Sequence, residues 1–342
     1  MGSVKDLEIL DKATNKKLGT GRFIYSNRYS VFDWGEMPDE IPDKGASIAI
    51  LGAYFFEQLE KMNIPTHYLG LVENGNAKKL AEIKSPVNTM EIKLLRVIKP
   101  ELNGTNYDYT KYKNETGGYL IPLEVIYRNS LPPGSSVFKR LKNGEITPQD
   151  IGLNAMPEPN QELEKPIFDV STKLEITDRY MNWNEAQHIS GLSDIEINSL
   201  KELTAEINNL ITNEFSHIGL VNEDGKIEVG LDLNRNFMLV DVFGTLDECR
   251  FTYDGLPVSK EIARVYYRDT EWFKAVEEAK KKDRQNWKEI CALKPERLTP
   301  KLKQLISQIY TGVTNEITQH EWFKNIPPVK SILKEIKTEL IL

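Results

Sequence analysis

The feature that most constrains the fold is the interleaving of helix-like and strand-like segments along the chain. Apolar residues recur every three or four positions from Ala46 to Met62, and again after Ser193. Shorter apolar runs, such as Phe237–Phe243, are typical of strands. The mixture predicts an α+β fold, and the length of 342 residues predicts two domains or one large unit.

The first 130 residues contain four predicted strands and one predicted helix. The strands are Leu7–Leu10, Arg22–Ser26, Met90–Ile98 and Tyr119–Tyr127. The first two flank a predicted turn at Gly19-Thr-Gly21, and the helix from 46 to 62 ends before Asn63-Ile-Pro65. The polar insertion Glu101–Gly118 is predicted to be a surface loop with a mobile tip.

A change in organisation is predicted near Pro132-Pro133. Ser135 and Ser136 can cap a helix that starts near Val137, and the stretch 146–192 is predicted to be rich in loops. Ser193-Asp-Ile-Glu196 is a capping-box pattern that opens a long helix. The rest of the chain, 258–342, is predicted to be mainly helical.

Composition excludes several function classes. The chain has 44 Lys and Arg against 51 Asp and Glu, and this acidic balance argues against a nucleic-acid partner. No apolar run approaches the roughly 20 residues that span a bilayer, and no signal-peptide core is seen, so we expect a cytoplasmic protein. The two cysteines and four scattered histidines do not form a disulfide scaffold or a metal-ligand pattern. Any catalysis must therefore depend mainly on carboxylates, lysines and arginines.

The predicted hairpin 226–243 carries the most informative side chains. Strand alternation places Lys226 and Glu228 on one face. If the turn is centred between Asn234 and Arg235, Glu228 pairs directly with Asp241, with Cβ atoms roughly 5 Å apart. Mg²⁺ would neutralise such a pair, and Lys226 would attract an anionic ligand. The alternative is that both acids are solvated, or that the register differs by one residue.

Two further segments are candidates for binding phosphate. Gly19-Thr-Gly-Arg22 could cover phosphates with backbone amides and Arg22, or could be an ordinary turn. Arg128, together with Ser135 and Ser136 at a helix N-terminus, could hold a phosphate. Simple capping explains the two serines equally well.

Read together, these segments resemble the SAICAR synthetase family, in order from Leu18 to about Arg268. The matching pieces are Gly19-Thr-Gly-Arg22, Pro42-Asp-Lys-Gly45, Ile64-Pro-Thr-His67, Ile121-Pro-Leu-Glu-Val-Ile-Tyr-Arg-Asn129, Gly134-Ser135, Lys139-Arg140, Pro166-Ile-Phe168, Ser171-Thr-Lys173, Lys226-Ile-Glu-Val-Gly230, Asp241–Thr245, Asp247 and Arg250. No single piece is decisive, but their ordered set is specific.

The resemblance implies a two-lobe α+β fold similar to protein kinases and ATP-grasp ligases. A small β-rich lobe, 1–127, would clamp ATP against a larger α/β lobe, 128–342, that ends in a helical extension. The implied activity joins a carboxylated aminoimidazole ribonucleotide to L-aspartate, with ATP and Mg²⁺, in purine biosynthesis. The implied partners are therefore small molecules, with no nucleic acid and no membrane; the sequence is compatible with a homodimer but does not specify one.

The resemblance also implies roles for individual residues. Catalytic roles fall to Lys226, Asp241 and Arg250, and the magnesium ligands would be Glu228 and Asp241. The nucleotide-binding positions would be Gly19, Thr20, Gly21, Arg22, Leu123, Glu124 and Val125. The substrate-binding positions would be Asp33, Arg128, Ser135, Lys226, Arg250 and Arg264.

Several departures from the family pattern leave other functions open. Thr20 and Arg22 stand where lysines are usual, and Val242 stands where a second acid is usual. Leu246 replaces a proline, and Glu248 replaces a small residue. The rival functions are a small-molecule kinase, which Asp224-Gly-Lys226 would suit, and a nucleotide-binding homologue without turnover.

Overall fold

The computed structural model describes residues 4–104, 106–283 and 286–340. Its first lobe is a five-stranded antiparallel sheet with one helix against it. The strands and helix are β1 (Lys5–Asp11), β2 (Gly19–Tyr25), α1 (Lys44–Lys61), β3 (Tyr68–Glu73), β4 (Asn76–Lys78) and β5 (Thr89–Leu94), in the sheet order β1-β2-β5-β3-β4. The predicted helix is confirmed, and it buries Phe55, Phe56 and Leu59 completely.

The predicted turn at Gly19–Gly21 is wrong, because these residues lie within β2 and the connection from β1 is 12–18. The glycines are required by the close approach of β1. A Cβ on Gly19 would lie 2.4 Å from the carbonyl oxygen of Asp11, and one on Gly21 would lie 2.7 Å from that of Glu8. Two backbones thus pack more closely here than other residues allow.

The insertion after β5 is more ordered than the predicted loop. It contains a hairpin of β6 (Glu101–Asn103) and β7 (Asn106–Asp108), then a 3₁₀ turn at Thr110–Asn114. Tyr112 in this turn is buried, and its hydroxyl donates to the carbonyl oxygen of Ile98 at 2.6 Å. The predicted mobile tip includes residue 105, which lies outside the described residues.

The second lobe is built on a larger antiparallel sheet. Its elements are β8 (Tyr119–Leu131), α2 (Ser136–Lys142), β9 (Gln161–Thr172), β10 (Tyr180–Met181), α3 (Trp183–Ser190), α4 (Asp194–His217), β11 (Val221–Leu231), β12 (Phe237–Val240), β13 (Cys249–Tyr253) and β14 (Leu256–Pro257). The order is β10-β9-β8-β11-β13-β14, with β12 also paired to β11. The loop-rich prediction for 146–192 is therefore wrong, since β9 alone has 12 residues.

Helices complete the chain, as predicted. They are α5 (Glu261–Arg268), α6 (Glu271–Lys282), α7 (Trp287–Ile290), α8 (Pro300–Thr318) and α9 (Val329–Glu339). Helix α8 packs on α1 of the first lobe and on α9. The end of the predicted helical tail, 341–342, lies outside the described residues, and none of the described helices is long and apolar enough to cross a bilayer.

The two sheets meet at two isolated parallel bridges, Thr66 with Leu239 and Arg96 with Tyr119. The predicted lobe boundary between residues 127 and 128 falls inside β8, which belongs wholly to the second sheet. The change from one sheet to the other therefore takes place between Leu94 and Tyr119.

The predicted hairpin exists, but its register differs by one residue. Leu231 pairs with Phe237 and Glu228 pairs with Val240, so the five-residue loop 232–236 is centred on Asn234. Asp241 follows the last paired residue and adopts a left-handed backbone with φ of 61°. The expectation that Glu228 and Asp241 form a direct cross-strand pair is thus wrong.

Candidate functional site

Two acids and two lysines meet on one face of β8 and β11. Glu124 and Glu228 are direct partners across these strands. Lys173, at the end of β9, lies between them, with its Nζ 3.2 Å from Glu124 Oε1 and in contact with Glu228 Oε1. Lys226 Nζ is 2.9 Å from Glu124 Oε1 and 3.8 Å from Glu228 Oε1. We call Glu124, Lys173, Lys226 and Glu228 the lysine–carboxylate cluster.

The charges of this cluster stabilise one another. Burial opposes the charge on Glu124, but Lys226 and Lys173 outweigh it and lower the pKa of that carboxyl below its usual range. Burial likewise opposes the charge on Lys226, and the surrounding acids, Glu248 and Glu124 foremost, raise its pKa. Burial opposes the charge on Lys173 too, but Glu228 and Glu124 raise its pKa, so Glu124, Lys173 and Lys226 are ionised at neutral pH.

Glu248 adds a further acid to this face. Its Oε2 lies 3.6 Å from Lys226 Nζ, and its carbonyl oxygen accepts a hydrogen bond from the Lys226 amide at 3.3 Å. The sequence marked Glu248 only as a departure from the family pattern. Glu248 lies opposite Lys226 because the segment before β13 pairs with β11. No local sequence pattern predicts this pairing.

Asp241 lies at the end of β12, where the chain turns back toward the first lobe. Its Oδ1 contacts Lys5 Nζ from β1 and accepts a hydrogen bond from the Val242 amide at 2.6 Å. Burial lowers the pKa of Lys5 to about 8. The Val242 side chain points away, and its Cγ2 would lie 2.7 Å from a Cβ on Gly52 of α1. Position 242 is therefore a packing position in this fold.

Glu228 and Asp241 are suitable in kind for a magnesium ion. They offer carboxylate oxygens from β11 and from the residue that follows β12, and Mg²⁺ typically takes one or two carboxylates together with substrate phosphates. Within the described residues, no group of three or more His, Cys, Asp or Glu is arranged to hold a metal ion. A metal here would therefore depend on ligands from its substrate.

Arginines and aspartates form a second cluster beside the first. Arg128 donates from Nη1 to Asp224 Oδ2 and from Nη2 to Asp169 Oδ2, both at 3.2 Å. Arg250 Nε donates to Asp224 Oδ1 at 2.7 Å, and Arg140 Nη1 donates to Asp169 Oδ2 at 2.5 Å. We call Arg128, Arg140, Asp169, Asp224 and Arg250 the arginine–aspartate cluster. Its two acids fix the directions of three guanidinium groups.

The exposed surface around Gly134 lies next to this cluster. A Cβ on Gly134 would be 3.6 Å from Arg250 Nη1 and 4.0 Å from Arg268 Nη2. Arg128 Nη2 donates to Ser136 Oγ at 3.1 Å, and Arg128 Nη1 is 3.5 Å from Ser135 Oγ. Both serines therefore lie at this surface, and Ser135 also caps α2 as predicted.

Arg264 and Arg268 approach the same surface from α5. Glu261 accepts from Arg264 Nη1 at 2.9 Å and also contacts Arg268 Nη2. Burial disfavours its charge, but Arg264, Arg268 and Arg250 lower the pKa of Glu261. Arg268 lies one helical turn beyond Arg264 on α5, and the sequence analysis gave it no role.

The predicted nucleotide-binding residues lie in two different settings. Arg22 donates to Glu91 Oε2 from Nε at 3.0 Å and from Nη2 at 2.9 Å, on the outer face of β2. Leu123 and Val125 are buried in the core, on the side of β8 opposite Glu124. Of these residues, Glu124 alone is placed in the lysine–carboxylate cluster, and nucleotide contacts of the rest remain predictions.

Asp33 lies at the surface, near Lys280 of α6. It has a left-handed backbone, and Lys280 Nζ is 3.3 Å from its Oδ2. Its charge also raises the pKa of Asp178, after burial and Glu124. Asp33 itself belongs to neither cluster.

Lys173 is the principal site residue to which the sequence assigned no role, and Asp224 entered only the rival kinase hypothesis. Asp224 precedes Lys226 and Glu228 with a spacing of two, so strand alternation could have placed all three on one face. Lys173 belongs to Ser171-Thr-Lys173, but its contact with Glu228 depends on β9, which was not predicted as a strand.

Neither cysteine is placed to act as a nucleophile. Cys249 is buried, its Sγ lies 3.3 Å from the Tyr127 hydroxyl, and burial raises its pKa to about 12. Cys291 Sγ lies 3.4 Å from the Leu293 carbonyl oxygen. The prediction that acids, lysines and arginines dominate the site agrees with these positions.

The chain is similar to known proteins over most of its length. It is 50% identical to a putative phosphoribosylaminoimidazole-succinocarboxamide synthase of Archaeoglobus fulgidus, over 99% of this chain and 100% of that protein. It is 34% identical to the phosphoribosylaminoimidazole-succinocarboxamide synthase of Thermoplasma acidophilum, over 86% of this chain and 92% of that one.

Solved structures share the fold. The SAICAR synthase of Saccharomyces cerevisiae, complexed with SAICAR, superposes with a TM-score of 0.64 at 20% identity, over 94% of each chain. A SAICAR synthetase in complex with ADP superposes with a TM-score of 0.56 at 22% identity, over 87% of this chain and 99% of that one. The two-lobe α+β architecture predicted from the sequence is thus confirmed, and, because the sequence model of the family matches residues 12–286, the chain belongs to the SAICAR synthetase family.

Proposed function

We propose that this chain is an ATP-dependent ligase that joins 5-amino-1-(5-phosphoribosyl)imidazole-4-carboxylate to L-aspartate in purine biosynthesis in the cytoplasm. One observation carries the proposal beyond family membership. Asp224, Lys226 and Glu228 share one face of β11, so the arginine–aspartate cluster and the lysine–carboxylate cluster are adjacent. A substrate with a phosphate at one end and a carboxylate at the other matches this pair of clusters.

The phosphate of the ribonucleotide would bind at the surface around Gly134. Arg128, Arg250 and Arg264 offer guanidinium donors there, and the Ser135 hydroxyl adds a neutral one. Arginines oriented by carboxylates suit planar, two-point contacts with phosphate oxygens. Asp33, near the rim of the site, is proposed to contact substrate from the other side.

The carboxylate of the imidazole would then lie near Lys226 and Lys173. A carboxylate is a poor electrophile, so one of its oxygens first attacks the γ-phosphorus of ATP, and ADP leaves. The aspartate amine attacks the acyl phosphate carbon, phosphate departs with the C–O bond electrons, and the amine loses a proton. Lys226 and Lys173 hold the reacting anions in place and screen their negative charges.

ATP would bind between the lobes, against the inner side of β2 and close to Glu124. Glu228 and Asp241 would hold Mg²⁺, which would supply charge neutralisation at the phosphates during phosphoryl transfer. Gly19 and Gly21 have no side chains, which allows the backbones of β1 and β2 to approach each other closely. Arg250 and Lys226 keep the two anionic ends of the ribonucleotide at a fixed separation.

The rival kinase function is less well supported. A kinase of the Asp-x-Lys type would need Asp224 as a free acid near the reacting hydroxyl. Asp224 is instead buried and engaged by Arg128 and by both Nε and Nη2 of Arg250. Both of its carboxylate oxygens thus accept from guanidinium groups, so Asp224 is not free to contact a reacting hydroxyl.

The decisive assay measures ADP release with Mg²⁺ and ATP, omitting the ribonucleotide or aspartate in turn. We expect release only when both are present. Release that persists without aspartate would contradict the ligase and favour a kinase, whereas nucleotide binding without any release would favour a homologue that lacks turnover.

The metal assignment has its own test. Asp241→Asn should abolish turnover while the ribonucleotide still binds, because the arginines by Gly134 are unchanged. Near-normal turnover of this variant would show that Asp241 is not a metal ligand.

A further inference from the structure

Lys5 reaches the candidate site from a segment that precedes the family match. It begins β1, whereas the match starts at residue 12. Its Nζ contacts Asp241 Oδ1 and lies 4.5 Å from the centre of the Phe23 ring. Its side chain is only 18% exposed, which is unusual for lysine. A lysine from outside the family core is thus buried against a proposed metal ligand.

The charges around Lys5 come from the whole site. Glu248 and Glu228 attract its ammonium group, and Lys173 and Lys226 repel it. Asp241 is the acid in direct contact with it. If Asp241 turns its carboxylate to a magnesium ion, Lys5 loses that contact and faces a divalent cation instead. A half-buried ammonium group in that position needs another anion.

The strand that carries the glycines offers no alternative cation on this side. Arg22 is the sole cation within Gly19–Arg22, and both its Nε and its Nη2 are directed to Glu91. Lys5 pairs with Tyr25 in the β1–β2 ladder, so it shares the inner face with Tyr25 and Phe23 rather than the outer face with Arg22. The inner face is the one that meets Asp241.

We propose that Lys5 binds the β- and γ-phosphates of the nucleoside triphosphate, moving from Asp241 to the phosphate oxygens when the magnesium complex enters. This inference rests on the proposed function, because it assigns a contact within the same nucleotide site. Lys5 would thus supply a cation on the inner face of the β1–β2 hairpin, whereas Arg22 is directed to Glu91 on the outer face.

The test compares Lys5→Met, Lys5→Arg and the matched control Lys61→Met. Lys61 is an exposed lysine at the end of α1 in the same lobe, and its Nζ donates to Gln58 Oε1 at 3.4 Å. Direct binding of Mg·ATP and of AMP is measured by calorimetry for each variant, together with KM for ATP, the ribonucleotide and aspartate.

We expect Lys5→Met to weaken Mg·ATP binding at least tenfold and to leave AMP and ribonucleotide binding within twofold. Lys5→Arg should recover part of the loss, and Lys61→Met should match the parent. A general structural role would weaken AMP as much as ATP, and that result would overturn the proposal. Unchanged Mg·ATP affinity in Lys5→Met would overturn it equally.

These outcomes are separate from those of the ligase assay. If the parent chain shows no aspartate-dependent ADP release, the proposed function fails. The comparison of Mg·ATP with AMP needs no turnover, so it still decides whether Lys5 contacts the distal phosphates.

Discussion

At the scale of single residues, the site is a set of buried charges that are held by their neighbours. Lys173 illustrates this best, because it separates two glutamates that face each other across β8 and β11. Like charges placed directly opposite on neighbouring strands destabilise a sheet. The acids can therefore stay close only while the lysine lies between them.

Lys173→Met should reduce kcat/KM by about a hundredfold, the loss typical of removing one charge-stabilising donor from an active site. The pKa of Glu124, now lowered by Lys226 and Lys173, should rise in this variant. The measurement is the pH profile of kcat/KM, compared with that of Lys165→Met, which replaces an exposed lysine of the strand that Lys173 follows. If the acid limb of the pH profile of Lys173→Met is the same as that of the parent protein, Lys173 does not set the ionisation of Glu124.

His67 is a buried group that the proposed mechanism does not use. The centre of its ring lies 5.7 Å from that of Phe23 and 5.3 Å from that of Phe56, and its Nε2 has no hydrogen-bond partner among the residues that the structure describes. Burial, aided by Lys5 and Lys93, lowers its pKa from 6.5 to about 3. His67 is therefore neutral in the folded protein at pH values where it is protonated in the unfolded chain.

This difference predicts how stability depends on pH. Because the folded pKa is depressed, protons bind preferentially to the unfolded chain, and stability falls as the pH drops below 6.5 toward about 3. Between about pH 7.5 and 5.5, the parent should lose about 1.4 kcal/mol more than His67→Phe. Urea unfolding at these pH values is the measurement, and equal losses in both proteins would contradict the assignment.

The register of the hairpin explains where residue-level prediction failed. The sequence identified Lys226, Glu228 and Asp241, but it paired Glu228 with Asp241 because it assumed an even number of loop residues. The loop has five, and Arg235 in it adopts a left-handed backbone while donating to Glu196 at 2.6 Å. That contact is with the start of α4, so the register depends on a distant element.

At the scale of elements, strong local sequence signals were sufficient to predict two of the helices. The apolar spacing of α1 and the capping box of α4 were both confirmed, with Ser193 Oγ and Glu196 forming reciprocal hydrogen bonds. Strand β9 was missed because its first half is polar and exposed and contains Pro166. Its second half is buried only because β8 and β10 lie on either side of it.

The contact between α1 and the loop after β12 gives a prediction for an element. Gly52→Ala would place a Cβ 2.7 Å from Val242 Cγ2, next to Asp241, so the helix or the loop must shift. We expect a loss of about 1–3 kcal/mol in stability, the usual effect of overpacking, and a reduced kcat.

A second substitution tests whether this contact is the cause. Val242→Ala removes the opposing methyl groups, so the double variant should be less destabilised than the sum of the two single variants. Chemical denaturation and turnover of all four proteins provide the double-mutant cycle. Strictly additive losses would show that Gly52 and Val242 do not interact.

At the scale of the whole molecule, both lobes and the C-terminal helices meet at one buried carboxylate. Asp247, in the loop that joins Asp241 to Arg250, accepts from Lys44 Nζ of α1 and from the Tyr310 hydroxyl of α8, both at 2.6 Å. Although burial opposes its charge, Lys44 and Lys260 lower the pKa of Asp247. Tyr310 lies outside the family match of 12–286, so the helical extension supports the site directly.

This junction predicts that stability and activity are lost together. Lys44→Met leaves a buried carboxylate without its ion-pair partner, which typically costs about 3–5 kcal/mol, whereas Tyr310→Phe removes one hydrogen bond to a charged group, worth about 1.5–3 kcal/mol. Both should lower kcat, because the loop holds Asp241 and Arg250. Replacing both charges, as Lys44→Met with Asp247→Asn, should recover part of the stability lost in Lys44→Met alone. If the double variant is no more stable than that single variant, the charge of Asp247 is not what joins the two lobes to α8.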